Sequence, residues 1–103
     1  IIRSNFSKLK EKLADYQVNK VNGILFDLGV SSVQIDDAKR GFSFHQDAKL
    51  DMRMDTTSSF SAYDVVNTYS YPELVRILRD YGEEKYATSI AKNIIKEREK
   101  QPI

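Results

Sequence analysis

Apolar positions along the chain follow three different rhythms, and each predicts a different kind of element. Residues 21–28 read as a strand, whose apolar run between Gly23 and Gly29, closed by Asp27, has the length and residue types of a buried strand. Before it, Ile1 and Ile2 read as the end of another strand. Ser7 is a candidate N-cap, and Leu9, Leu13 and Tyr16 recur at helical spacing, so residues 8–16 read as a short amphipathic helix. A strand, helix, strand unit of this kind is expected to be parallel and right-handed when both strands share one sheet.

Beyond Ser32 the rhythm changes. Residues 33–38 are long enough for one or two helical turns, and Gly41 then interrupts the chain ahead of Phe42 and Phe44, which point the same way if the segment is extended. Residues 50–55 alternate apolar and charged side chains, the pattern of an extended, half-buried segment. From Thr56 onward the pattern is helical. Ser61 caps residues 62–68, and Ser70 caps the next helix, with Pro72 and Glu73 in its first turn. Leu74, Ile77, Leu78 and Tyr81 line one face of that helix, and Gly82 stops it. A longer helix over 83–100 buries Tyr86, Ala87, Ile90, Ala91, Ile94 and Ile95, with acids early and cations late.

The fold class is therefore an α/β fragment, mostly helical. Residues 1–32 form an α/β edge, and 33–103 form a connector and a helical unit. Two strands do not make a stable sheet, so further strands are expected outside this sequence. A start at Ile1 without an initiator Met carries the same expectation. If the piece folds alone, the helical part should be ordered, while the first strands either pair with another copy or are remodelled.

With 103 residues there is room for one small domain, which would bury about 60–70% of its unfolded surface. Sixteen Lys and Arg against fifteen Asp and Glu leave a formal charge of +1, so contact with a polyanion has to come from a local patch. There is no cysteine, which removes disulfides, zinc thiolates and thiol nucleophiles and fits a cytoplasmic location. No apolar run approaches the roughly 20 residues of a membrane span.

Asp27 is the first candidate for chemistry. At the carboxyl end of a strand in an open α/β sheet it lies on the rim where ligands bind, with Gly29 turning the backbone and Ser31 and Ser32 supplying hydroxyls and N–H groups. The competing reading is an Asp that caps a turn. The row Asp51, Arg53, Asp55 reads either as an ion-pair network fixing the connector or as a phosphate-binding arginine; as a metal pair it has too few oxygen ligands. His45 has no partner pattern. Phe42 and Phe44 either stack on an unpaired base or pack the connector. Lys92, Lys96, Arg98 and Lys100, with Arg40, form either a solvated face or phosphate contacts.

Residues 26–32 (Phe-Asp-Leu-Gly-Val-Ser-Ser), then Gln34, then 40–44 (Arg-Gly-Phe-Ser-Phe), then 50–55 (Leu-Asp-Met-Arg-Met-Asp), form an ordered set. Together with residues 81–84 and 101–103 it resembles the bacterial small-subunit ribosomal RNA cytosine-N4 methyltransferases, the MraW/RsmH family. The resemblance covers essentially the whole chain. It implies part of a Rossmann-like S-adenosylmethionine-dependent methyltransferase domain over 1–32 and an incomplete helical substrate-recognition insert over 33–103. It also implies transfer of a methyl group to N4 of a cytidine in the decoding region, with small-subunit ribosomal RNA or the assembled subunit as partner. By the same resemblance Phe6 lies beside the cofactor adenine, and Asp27 and Gln34 are further cofactor contacts. Asp27 is also the candidate catalytic residue, as an amine-positioning group or general base. Arg40, Phe42, Phe44 and Arg53 are the candidate RNA contacts. The family's Gly-Gly-His cofactor loop and its ribose-binding acid are expected upstream, so this piece is expected to be inactive alone. Val33, Ala48-Lys49 and Thr56 stand where the family commonly has Pro, Gly-Pro and Pro. A noncatalytic helical RNA- or protein-binding module is the alternative.

Overall fold

The computed structural model describes all 103 residues. Five α-helices follow in order: α1 (Leu9–Asp15), α2 (Ser32–Asp36), α3 (Ala62–Thr68), α4 (Tyr71–Asp80) and α5 (Ala87–Arg98). Single 3₁₀ turns occupy Phe6–Lys8 and Ala38–Arg40.

The strand expected over 21–28 is not formed, and no sheet exists in the chain. Ile24, Leu25, Phe26 and Leu28 stand exposed, Leu25 almost completely so at 95%. The physical reason is the one that governs every isolated strand. Its N–H and C=O groups need a neighbour, and a two-strand unit buries too little apolar surface to hold itself together. Ile1 and Ile2, the other expected strand, are exposed as well. The Rossmann sheet is thus a correction, whereas the mostly helical character stands.

Order is concentrated in α3, α4 and α5. Their starts are set by local chemistry that the sequence shows directly. The Asp64 carboxylate accepts from the N–H and hydroxyl of Ser61, both at 2.7 Å, and Glu73 accepts from the N–H and hydroxyl of Ser70 at 2.8 and 2.6 Å. Each Ser thereby closes a helix entrance whose first N–H groups have no partner inside the helix. The first two N–H groups of α3 are satisfied differently. Ala62 donates to the carbonyl of Asp51 at 2.8 Å and Tyr63 to that of Leu50 at 2.7 Å, so the connector is bonded to the start of the helix.

α4 packs along α5, and α3 also meets α5. Between them lie the only fully buried residues, Leu74, Ala87 and Ala91. The two alanines let the helices approach closely, and Leu74 fills the space that results. At the other end of α3, Arg98 donates to the carbonyls of Val66 at 2.9 Å and Tyr69 at 2.7 Å, which supplies partners for the last turn. Asn67 holds the chain end, accepting from the Ile103 N–H at 2.9 Å and donating to its carbonyl at 3.1 Å.

The longer helix begins at Ala87 rather than at residue 83. Gly82 ends α4 as expected, yet the left-handed residue is Glu83, with φ of 50°. This turn places the Glu84 N–H on the Leu78 carbonyl at 3.0 Å and delays the next helix.

The molecule measures 55 × 28 × 23 Å, with a radius of gyration of 17.8 Å. A compact chain of this length has about 13 Å. Its accessible surface of 8994 Å² likewise exceeds the roughly 6,000 Å² of a compact protein of this mass. Residues 1–31 account for the difference, since nearly all of them are exposed. No helix is long and apolar enough to cross a membrane.

Candidate functional site

The candidate residues fall into two groups, those ahead of the connector, where no hydrogen bond joins Gln34 to Phe6 or Asp27, and those within it. In the first, Asn5 accepts the Ser7 N–H at 3.0 Å and so caps the 3₁₀ turn that carries Phe6. The Phe6 and Phe26 rings lie 6.1 Å apart between centroids, with their planes 77° apart. This T-shaped pair is a favoured aromatic geometry, and it brings Phe6 to the residue that precedes Asp27. Asp27 is exposed and makes no ion pair or hydrogen bond within the chain.

Gln34 lies in α2, half-buried. Its Oε1 accepts from the Ser31 N–H at 2.9 Å and the Ser31 hydroxyl at 3.3 Å, while the Gln34 N–H donates back to Ser31 Oγ at 3.4 Å. The side-chain oxygen is thus engaged in capping the helix, and the amide NH₂ keeps two donors for a ligand.

The second group is the connector. Here the middle of the alternating segment 50–55 departs from the expected pattern, although Leu50 is half-buried and Asp55 exposed as expected, and Met52 leaves the extended conformation with φ of 57°. Asp51 and Arg53 are half-buried, whereas Met52 and Met54 are exposed. The cause is the Arg53 guanidinium. Nε donates to Asp51 Oδ1 at 3.0 Å and Nη2 to Oδ2 at 2.6 Å, while Nη1 reaches the carbonyls of Ser58 at 2.6 Å and Thr56 at 3.4 Å. A planar fork that finds a carboxylate and two carbonyls on its own loop fixes that loop. The side-chain hydrogen bond from Arg53 also brings the Asp51 carboxyl down to about 2 from its usual 3.8.

Arg40 acts on the same loop from the other side. Nη2 donates to the carbonyls of Arg53 at 2.7 Å and Met54 at 3.3 Å, and the guanidinium lies 5.6 Å from the centre of the Phe42 ring. Arg40, Phe42 and Arg53 are therefore brought together. Phe44 is not among them. It is 91% exposed and tilts against His45, so the two phenylalanines do not share an environment as expected. Gly41 permits this geometry, with φ of 66° and the Lys49 carbonyl only 2.5 Å from where a Cβ would sit.

Asp55 does not join Arg53. It accepts from the Thr57 N–H at 2.9 Å and hydroxyl at 2.6 Å, and the Asn5 amide donates to it at 3.5 Å. The Thr57 hydroxyl, its backbone N–H and Asn5 together hold the Asp55 carboxyl below its ordinary value. That long contact is the one hydrogen bond joining residues 1–30 to the rest of the chain. Asn5 was not singled out by its sequence context for this link. Two other cations differ from the sequence reading, because Arg98 turns inward onto α3 and Lys100 pairs with Glu97 at 2.8 Å. No group of three or more His, Cys, Asp or Glu side chains stands close enough to hold a metal ion.

Known proteins place this arrangement. The pattern of the MraW methylase family matches residues 1–103. The chain is 59% identical over 103 residues to the ribosomal RNA small subunit methyltransferase H of Caldicellulosiruptor saccharolyticus, covering 100% of this chain and 34% of that protein. Over 103 residues it is 60% identical to the protein of the same name from Exiguobacterium sibiricum, covering 100% of this chain and 33% of that one. For the Clostridioides difficile protein of that name the identity is 57% over 102 residues, covering 99% and 33%. The chain thus spans about a third of the length of the curated relatives it matches. With its whole length matched by the family pattern, the chain belongs to the MraW methylase family.

Proposed function

We propose that this chain is part of an S-adenosylmethionine-dependent methyltransferase that modifies N4 of a cytidine in the decoding region of small-subunit ribosomal RNA. The observation that carries the reading is the full-length family match, together with relatives named as ribosomal RNA small subunit methyltransferases. Residues 1–32 belong to the cofactor-binding domain and 33–103 to the connector and substrate-recognition insert, both incomplete here.

The residues present fit the cofactor. Phe6 is 63% exposed even though it is paired with Phe26, so its ring is accessible to an adenine. Gln34 keeps its NH₂ donors free, and the Asp27 carboxylate has no partner inside the chain. When bound, the cofactor supplies an electrophilic methyl group on a sulfonium. The protein's task in such a displacement is mainly positioning. Asp27 accepts a hydrogen bond from the substrate amine, which orients a nitrogen whose lone pair is delocalised into the ring, and it is the candidate to take the amine proton.

On the RNA side, Arg40 and Arg53 hold the connector, because the Arg53 fork meets Asp51 and loop carbonyls and Arg40 Nη2 meets the carbonyls of Arg53 and Met54. Phe42 lies under Arg40, and Phe44 is presented to an unpaired base. The setting is cytoplasmic, where ribosomal subunits are the partner.

Calorimetric titration of the full-length protein with S-adenosylmethionine, followed by methyl transfer to small-subunit RNA, tests this. Asp27→Ala is expected to weaken cofactor binding and abolish transfer. Absence of cofactor binding by the wild type would favour the noncatalytic module instead.

A further inference from the structure

We propose that the outward face of α5, with Lys92, Lys96 and the preceding Lys85, is a contact surface for RNA phosphates. The inference rests on the functional reading above, and it names where the RNA backbone lies.

The structure sorts the cations of this region by what each one meets. Arg98 caps α3 from inside, and Lys100 is paired with Glu97. Lys85, Lys92 and Lys96 are exposed and make no ion pair. From residue 85 to residue 96 there is no acidic side chain at all, although the chain carries fifteen. The positive charge is therefore local, on a chain whose formal charge is only +1.

Helical geometry puts Lys92 and Lys96 on one side of α5, and Lys85 lies in the turn just ahead of the helix. Ala87 and Ala91 are fully buried against the other helices, which turns Lys92 and Lys96 outward, one turn or about 6 Å apart along the axis. Ser89 and Asn93 lie between and beside them and add neutral donors of the kind that commonly meet phosphate oxygens. Ser89, Lys92, Asn93, Ile95, Lys96 and Glu99 line a shallow depression of about 510 Å³, with Glu99 the one acid on its rim.

The chemistry favours RNA over a protein partner. Protein interfaces depend on a desolvated apolar or aromatic anchor cluster, and this face offers only the half-buried Ile95 and the single exposed ring of Tyr86 beside Lys85, which can equally stack on a base. Lysines with hydroxyl and amide donors suit a polyanion without needing such an anchor.

The experiment uses the full-length protein and a small-subunit ribosomal RNA transcript, with binding measured across a salt series. Replacing two phosphate-neutralising lysines (Lys92→Glu with Lys96→Glu) should flatten the slope of log affinity against log salt by about 1–2 and weaken binding about tenfold or more. S-adenosylmethionine affinity and kcat should be unchanged, with KM for RNA raised, and Lys92→Arg with Lys96→Arg should retain wild-type behaviour. An unchanged salt slope would overturn the proposal. So would weaker binding to the assembled small subunit with unchanged binding to the transcript, since that assigns the face to a ribosomal protein. If the wild type fails to bind S-adenosylmethionine, the functional reading fails, while the salt slope still judges this face.

Discussion

Asp51 and Arg53 meet at two points, Nε to Oδ1 at 3.0 Å and Nη2 to Oδ2 at 2.6 Å, and both are half-buried while Met52 and Met54 beside them are exposed. Because the folded Asp51 carboxyl sits near 2 and the unfolded one near 3.8, its contribution to stability is present above the unfolded value. It is lost as pH falls through that window. The stability difference between wild type and Asp51→Asn should therefore be largest at about pH 5 and above and shrink toward pH 2. Denaturant unfolding at a series of pH values checks this; a difference independent of pH across that range would show that the pairing adds nothing.

Gly41 sits where the connector doubles back. Any side chain there takes a φ of 66° and places Cβ 2.5 Å from the Lys49 carbonyl and 2.9 Å from the Asp51 N–H nitrogen. Gly41→Ala should destabilise by about 1–2 kcal/mol from the backbone alone, with the clash adding to it. It should also release the hydrogen bond from the Met52 N–H to the Arg40 carbonyl, now 2.9 Å. Hydrogen exchange at Met52 reads that release directly.

Leu74 is the largest fully buried side chain, closed in by the two buried alanines of α5. Leu74→Ala should cost about 2–5 kcal/mol, the range for a leucine whose cavity only partly collapses. A loss below about 1 kcal/mol in denaturant unfolding would mean that α4 and α5 slide together to fill the space.

These residues also show how far the sequence was legible. Ser61 and Ser70 mark real helix starts because a cap is a contact between neighbours three residues apart. The same local spacing identified Leu74, Ala87 and Ala91 as core, but it also placed Tyr81 and Tyr86 on buried faces, and both are exposed, at 77% and 71%, because they sit at the end of α4 and ahead of the first turn of α5. Residues 21–28 carry an equally clear signal, yet a strand is completed by its neighbours, and none are present here. Within 50–55 the alternation placed Leu50 and Asp55 correctly but not Asp51 to Met54, since Met52 turns left-handed and Arg53 is drawn to carbonyl partners at Thr56 and Ser58. Asn5 and Asp55 lie fifty residues apart, and no local pattern announces their contact. The candidate site was legible through its motifs, while the division of labour among its arginines required the fold.

Phe44 and Phe42 differ in exposure, which allows the proposed base-stacking role of Phe44 to be tested apart from folding. At 91% exposure its ring contributes little to folding, so Phe44→Ala should change stability by no more than about 0.5 kcal/mol. Stacking of a base on an aromatic ring is worth about 1–3 kcal/mol, so the same substitution in the full-length protein should raise KM for RNA roughly fivefold to a hundredfold. Phe42 gives the contrast, because it packs under the Arg40 guanidinium, and Phe42→Ala should lower stability as well. If Phe44→Ala leaves RNA binding and methyl transfer untouched, the exposed ring has another purpose and the base must be held elsewhere on the connector.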